Sequence, residues 1–278
     1  MKAIFRFALS RSRGQIIGWG ISMAVLAWIV VWFYDPFQEQ QQQWIDLLNS
    51  FPQEIIGLFG DLNEMFSTKG YLDLQLFIFL PLLLGIFAVL AGSGLLVSDE
   101  ENGTLDLILA HPVSRTALLA GRGLAFVVAT LIILVISWLG LVLPLGASSL
   151  ALTPGAAALP FVSLFGVLML FGSLALLLSM LLPSRKAAAG AASLILVLCF
   201  FVSSLANFVS DLKDAAQFSP ISYYQSANAI NGLNAGWLAG LLAVSAVFTG
   251  LACWLFQRRD IRVSGEGSWR LPFVKRTA

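Results

Sequence analysis

Charge is scarce in this chain. Its 278 residues hold 16 Lys and Arg against 15 Asp and Glu, only 11% of the sequence, where a soluble domain carries about 25%. So few polar groups cannot cover a soluble core, so the chain reads as an integral membrane protein. Histidine is nearly absent: His111 stands alone. The two cysteines, Cys199 and Cys253, lie inside apolar runs with no CxxC spacing, so neither a metal centre nor a redox pair is expected. They read as small core residues. A net charge of +1 argues against a nucleic-acid partner. No G-x-x-x-x-G-K-[ST] phosphate loop and no H-E-x-x-H zinc motif occurs. Ser137, Ser173 and Ser203 lie in apolar stretches without an activating His, Lys or carboxylate. The chain is therefore expected to carry no catalytic, cofactor or metal site of its own.

What is present is apolar sequence: 58% of residues are hydrophobic and mean hydropathy is +0.87. A spanning helix needs about 20 mainly apolar residues. Six segments qualify, at 15–34, 72–97, 116–143, 159–182, 187–208 and 237–257. Pro144, Pro160 and Pro183 fall at segment boundaries, while Pro81 lies inside the second segment and should kink it. Asp73 and Arg122 lie about one turn from segment ends, where their side chains are expected to snorkel to the interface. The first segment follows basic residues as a signal peptide would, but no small-x-small cleavage site follows it. It reads as a retained anchor.

Six crossings put both termini on one side. That side receives 14 Lys and Arg, against Lys69 and Lys213 on the other, so both termini are expected in the cytosol of a bacterial or archaeal inner membrane. At the N-terminus, residues 1–14 place Ile4, Phe5, Ala8 and Leu9 on one helical face and Lys2, Arg6 and Arg13 elsewhere, an amphipathic helix suited to the headgroup region. Outside, residues 35–71 space Trp44, Leu47, Leu48 and Phe51, then Ile55, Phe59, Leu62 and Phe66, as two short amphipathic helices. Ser50 and Gln53 fit a capping box. The loop at 209–236 suits a short re-entrant or surface helix, and 258–278 is a cytosolic tail.

Between the second and third spans lies "SDEENGTLDLILAHPVSR", residues 98–115. Ser98 and Glu101 fit a capping box, and Asp99, Glu100 and Glu101 suit a helix N-terminus. Leu105, Ile108 and Leu109 then form an apolar stripe. His111-Pro112 ends that helix, and Ser114 can cap the next. The stripe must pack on the chain's own helices or on a partner.

"EENGTLDLILAHPVSRTALLAGRGLA", with residues 218–262 ending in Arg-Arg-Asp, resembles the permease subunits of type-2 ATP-binding-cassette exporters, those with the ABCG-like membrane fold. The resemblance covers essentially the whole chain. His111 departs from it where an apolar residue is common, and 263–278 looks like an extension. It implies an all-α membrane fold of six transmembrane helices, with an N-terminal elbow helix and a cytosolic coupling helix between helices 2 and 3. Leu105, Ile108 and Leu109 would be the face docked in a cleft of a separate ATPase, present in two copies and holding ATP and Mg. Glu100, Glu101 and Asp106 would meet basic residues there, Gly103 would allow a turn before Thr104, and Arg115 would anchor the segment's end. The permease would pair with a second permease, most simply an identical copy. The pathway would run between the second and fifth helices, with Phe77, Phe79, Phe200, Phe201, Ser204 and Asn207 as lining candidates. Their apolar surroundings suit an amphiphilic or hydrophobic cargo. Two other classes stay open: an ion-coupled carrier, which usually keeps ionisable residues at mid-depth where this chain has none, and a non-transporting membrane scaffold.

Overall fold

The computed structural model describes residues 2–49, 66–101, 103, 114–206, 209 and 212–258. They form helices: α1 (Lys2–Arg11), α2 (Arg13–Trp32), α3 (Tyr34–Glu39), α4 (Gln41–Asn49), α5 (Thr68–Leu72), α6 (Leu80–Gly94), α7 (Val97–Glu101), α8 (Arg115–Val142), α9 (Pro154–Leu181), α10 (Arg185–Leu205), α11 (Lys213–Ala216) and α12 (Ala235–Arg258). Six helical stretches are long and apolar enough to cross a membrane: those built on α2, α5–α6, α8, α9, α10 and α12. Residues 50–65, with Phe51, Ile55, Phe59, Leu62 and the capping pair Ser50 and Gln53, lie outside the described residues.

α9 is the centre. It packs against α6, α8, α10 and α12, and buried residues run along all its faces, from Ala157 through Leu164, Leu168 and Phe171 to Met180. A helix apolar all round belongs either in a core or in lipid, and the neighbours decide which. α10 buries one stripe, Ala188, Ala192, Leu196 and Phe200, and α12 another, Leu241, Ser245, Ala252 and Phe256. Their remaining faces are exposed and apolar, with Leu194, Leu198, Phe201, Val247 and Leu251 outward. α2 buries Ile16, Gly20, Met23, Ala27 and Val30, a four–three spacing that forms a straight seam against α8.

Small residues set the closest helix approaches, since lipid offers no hydrophobic drive and van der Waals contact must serve instead. A Cβ on Gly140 of α8 would lie 2.3 Å from the Ala24 carbonyl oxygen of α2, and one on Gly92 of α6 only 2.1 Å from that of Gly172 on α9. Backbone cannot yield as a side-chain end can. Gly92→Ala is therefore expected to cost about 1–3 kcal/mol by forcing α6 from α9. Gly250→Ala, in open space, should change stability by about 0.5 kcal/mol or less. Thermal unfolding of the detergent-purified chain checks both.

The kink expected at Pro81 takes a definite form. Ser67 caps α5 by accepting from the Gly70 N–H at 3.0 Å. The chain then widens into a π turn, Asp73–Phe77, in which the Ile78 N–H reaches the Asp73 carbonyl at 3.0 Å. α6 starts afresh with Pro81 in its first turn, where the missing N–H costs nothing. Pro160, by contrast, is not at a boundary. Thr153 accepts from the Ala156 N–H at 3.3 Å and Pro154 opens α9, so the helix starts more than a turn earlier than hydropathy suggests and Pro160 lies inside it.

The two membrane-edge charges do not snorkel. Asp73 accepts from the Ser226 hydroxyl and, at 3.3 Å, from the Ala227 N–H, tying the 3₁₀ turn Ser226–Asn231 to the π turn. That turn follows a second one, Pro220–Tyr223, and the loop folds inward. The Gln225 N–H donates to Ser163 of α9 at 3.0 Å, and Ile221, Tyr224 and Ala227 are buried. Arg122 is buried at the other end of the bundle.

Candidate functional site

α1, the starts of α8 and α10, and the end of α12 meet around α7, at the end of the bundle that holds the N-terminus. α1 presents Ile4, Phe5, Ala8 and Leu9 inward and leaves Lys2, Arg6, Phe7 and Arg11 outward, packing along α8. α7 continues almost directly from α6, so Ser98 sits within the helix and not at its cap. The capping box expected from Ser98 and Glu101 is not made, because the chain keeps turning through Leu95 and Leu96.

The acids of α7 bind within the chain instead. Asp99 is buried and holds two arginines: Arg11 of α1 donates to one carboxylate oxygen at 2.7 Å, and Arg122 of α8 to the other. Arg122 also donates to the Leu95 carbonyl at 2.7 Å. Its side chain is 8% exposed, that of Arg11 54%. Burial pushes the Asp99 carboxyl up, but the Arg11 hydrogen bond and the Arg122 and Arg11 charges outweigh it and hold its pKa below the ordinary value. Asp99 was legible as a helix-start residue, and Arg122 as a lone cation in an apolar run; that they meet was not.

Glu101 accepts from the Arg185 main-chain N–H at 2.7 Å, serving the first turn of α10, where Ser184 caps through the Ala187 N–H at 3.1 Å. Glu100 is half-buried in α7. Gly103 takes φ +67°, the left-handed conformation that only glycine adopts freely. On the far side of the segment, Ser114 caps α8 by accepting from the Ala117 N–H at 3.2 Å. Arg115 donates to the Phe256 carbonyl of α12 at 3.0 Å, with its guanidinium 5.7 Å from that ring. Thr104, Leu105, Asp106, Ile108 and Leu109 lie outside the described residues. Segment 98–115 is thus fastened at both ends, to α1, α8 and α10 on one side and to α12 on the other.

The lining candidates separate. Phe77 is fully buried, edge-on to Phe161 at 5.9 Å; it packs α5–α6 against α9 and presents no surface to a pathway. Phe79 and Phe201 are about half exposed. Phe200 and Ser204 line a cavity of about 480 Å³ at the opposite end, with Asp73, Lys213, Tyr224 and Trp237. Asn207 lies outside the described residues. Among the described residues no three His, Cys, Asp or Glu side chains converge as metal ligands do.

The profile of a protein family described as "ABC-2 family transporter protein" matches residues 9–261. No curated protein sequence matches the chain.

Proposed function

The chain belongs to the ABC-2 family of transporter proteins, and from that premise we propose that it is the permease half of an exporter driven by a separate ATPase. Two such halves, identical in the simplest case, bind two ATPase copies at the end that carries α1, which faces the cytosol. α1 is the elbow helix, and the segment around 98–115 couples ATPase closure to the membrane helices.

What supports this reading most is the anchoring of that segment. A push on it is transmitted through Asp99 to α1 and α8, through Glu101 to α10, and through Arg115 to α12. A scaffold has no need of four such links. The exposed apolar faces of α10 and α12 give the second half a surface to meet. Phe79, Phe200, Phe201 and Ser204, with Asn207, remain candidates for the pathway; Phe77 does not. The cargo is amphiphilic or hydrophobic, since a charged solute at mid-depth would need compensating charges that these helices lack.

The test is a mild-detergent purification of the chain from its native membrane. A stoichiometric soluble ATPase carrying a phosphate-binding loop is expected, its turnover raised by an amphiphile after reconstitution. No such partner would overturn the reading. Stimulation by a hydrophilic ion alone would overturn the cargo class.

A further inference from the structure

Arg11, Arg122 and Arg185 ring a cavity of about 220 Å³ between α1, α6, α8 and the start of α10. Asp99 is the one acidic residue in its lining. Among the lining side chains, three guanidinium groups face one carboxylate, while the Glu101 carboxylate sits outside the lining on the Arg185 main-chain N–H. Arg122 is buried, with one terminal nitrogen on Asp99 and the other on the Leu95 carbonyl. The other two are not saturated. Arg11 gives one nitrogen to Asp99 and is otherwise more than half exposed. The Arg185 side chain lies across Gly94, with Nε 3.0 Å from where a Cβ would sit, and its hydrogen bond is a long one of 3.3 Å to the Leu90 carbonyl. Among the described residues it forms no ion pair with a carboxylate.

The rest of the lining is mixed: Ser12, Gln15 and Ser98 are polar, and Phe7, Phe87, Leu90 and Phe126 supply an apolar part. Phe7 is exposed on the outward face of α1, beside the cavity mouth. Cationic forks above an apolar floor, at the end of a spanning bundle, match one chemistry: a phosphate group carried on, or beside, an acyl chain. Guanidinium is the side chain best shaped for phosphate oxygens, and basic pockets between membrane helices suit anionic headgroups.

The geometry points to a phosphate-binding site between Arg11 and Arg185, occupied by the headgroup of an anionic phospholipid or by free phosphate. Its occupant would bridge α1 to α10, each of which is hydrogen-bonded to α7. The inference rests on the chain being a membrane protein and not on any ATPase partner, so it stands or falls separately from the exporter reading.

The experiment uses the full chain, delipidated in a neutral detergent and examined by native mass spectrometry. It is titrated with phosphatidylglycerol, with phosphatidylcholine, and with phosphatidylglycerol in the presence of inorganic phosphate. Phosphatidylglycerol is expected to bind at least tenfold more tightly than phosphatidylcholine. Arg185→Gln should weaken it about tenfold, the effect of losing one charge-assisted pair, and Arg185→Lys less, because the charge stays while the fork is lost. Arg13→Gln, an exposed charge outside the lining, should change nothing. Displacement by millimolar phosphate assigns the site to the free anion, and resistance to it assigns the site to the lipid. Equal binding of the two lipids, full binding by Arg185→Gln, or an equal loss in Arg13→Gln would each overturn the site.

Discussion

Replacing Leu105 and Leu109 together by aspartate is expected to strip the ATPase from the chain while leaving the bundle inserted and folded. The two leucines and Ile108 stand at the spacing of one helical face, and that stripe is the apolar surface the segment is expected to offer a partner. Burying a leucine is worth about 1.5–3 kcal/mol, so the pair supplies roughly 3–6 kcal/mol, or about 10²- to 10⁴-fold in affinity. Two carboxylates entering an apolar cleft add a desolvation cost on top. The bundle should be indifferent, because its links to the segment run through Asp99, Glu101 and Arg115, which stay. Co-purification measures the loss, and an unchanged melting profile shows that the fold survives. Full retention of the ATPase would remove this stripe as the docking face. Glu101→Lys is a weaker test of docking than its sequence position suggests. Its carboxylate already serves the Arg185 N–H, and an exposed charge of this kind is worth about 0–1 kcal/mol.

The second large effect belongs to Asp99. Asp99→Ala would leave the Arg122 guanidinium buried with only the Leu95 carbonyl as acceptor. Removing one partner of a buried pair costs about 3–5 kcal/mol, since the remaining charge is uncompensated. The neighbouring cavity admits water, which places the expectation near the lower figure. Arg11→Gln should cost far less, about 0–1 kcal/mol, because Arg11 is half in solvent and Asp99 keeps Arg122. The double change Asp99→Ala with Arg122→Met should recover most of the loss, as an apolar replacement of a buried pair often does. Unfolding of the four proteins in detergent decides it; equal losses from Asp99→Ala and Arg11→Gln would show that the Arg11–Asp99 contact both remove, not a stranded Arg122, carries the effect.

The same pair fixes a pH dependence. The folded pKa of Asp99 is lowered, so its contribution is present above the unfolded value of about 3.9 and is lost as pH falls through the lower folded value. Stability from this contact should therefore be flat from pH 5 to 8 and fall only in strong acid. Asp99→Asn should remove the acid-dependent part.

The sequence by itself determined the membrane class, the six apolar helices, the amphipathic division of α1, the Ser114 cap and the break at Pro81. Each depends on local composition, periodicity or the chemistry of one residue, which survives without knowledge of neighbours. Tertiary structure decided the rest. α9, α10 and α12 are all strongly apolar, yet α9 is buried on every side while α10 and α12 each bury a single stripe. Hydropathy cannot rank them, because lipid and protein core reward the same side chains. Phe77 and Phe79, two residues apart, fall on opposite sides of one helical stretch, and only the packing against α9 decides that Phe77 enters the core while Phe79 stays at the surface. The bonds that join Arg11, Asp99 and Arg122 link residues 88 and 23 positions apart in sequence. No local pattern encodes them, since a charge near a helix end is satisfied equally by water, by a headgroup or by a partner, and only the packing of α1 and α8 around α7 selects the partner.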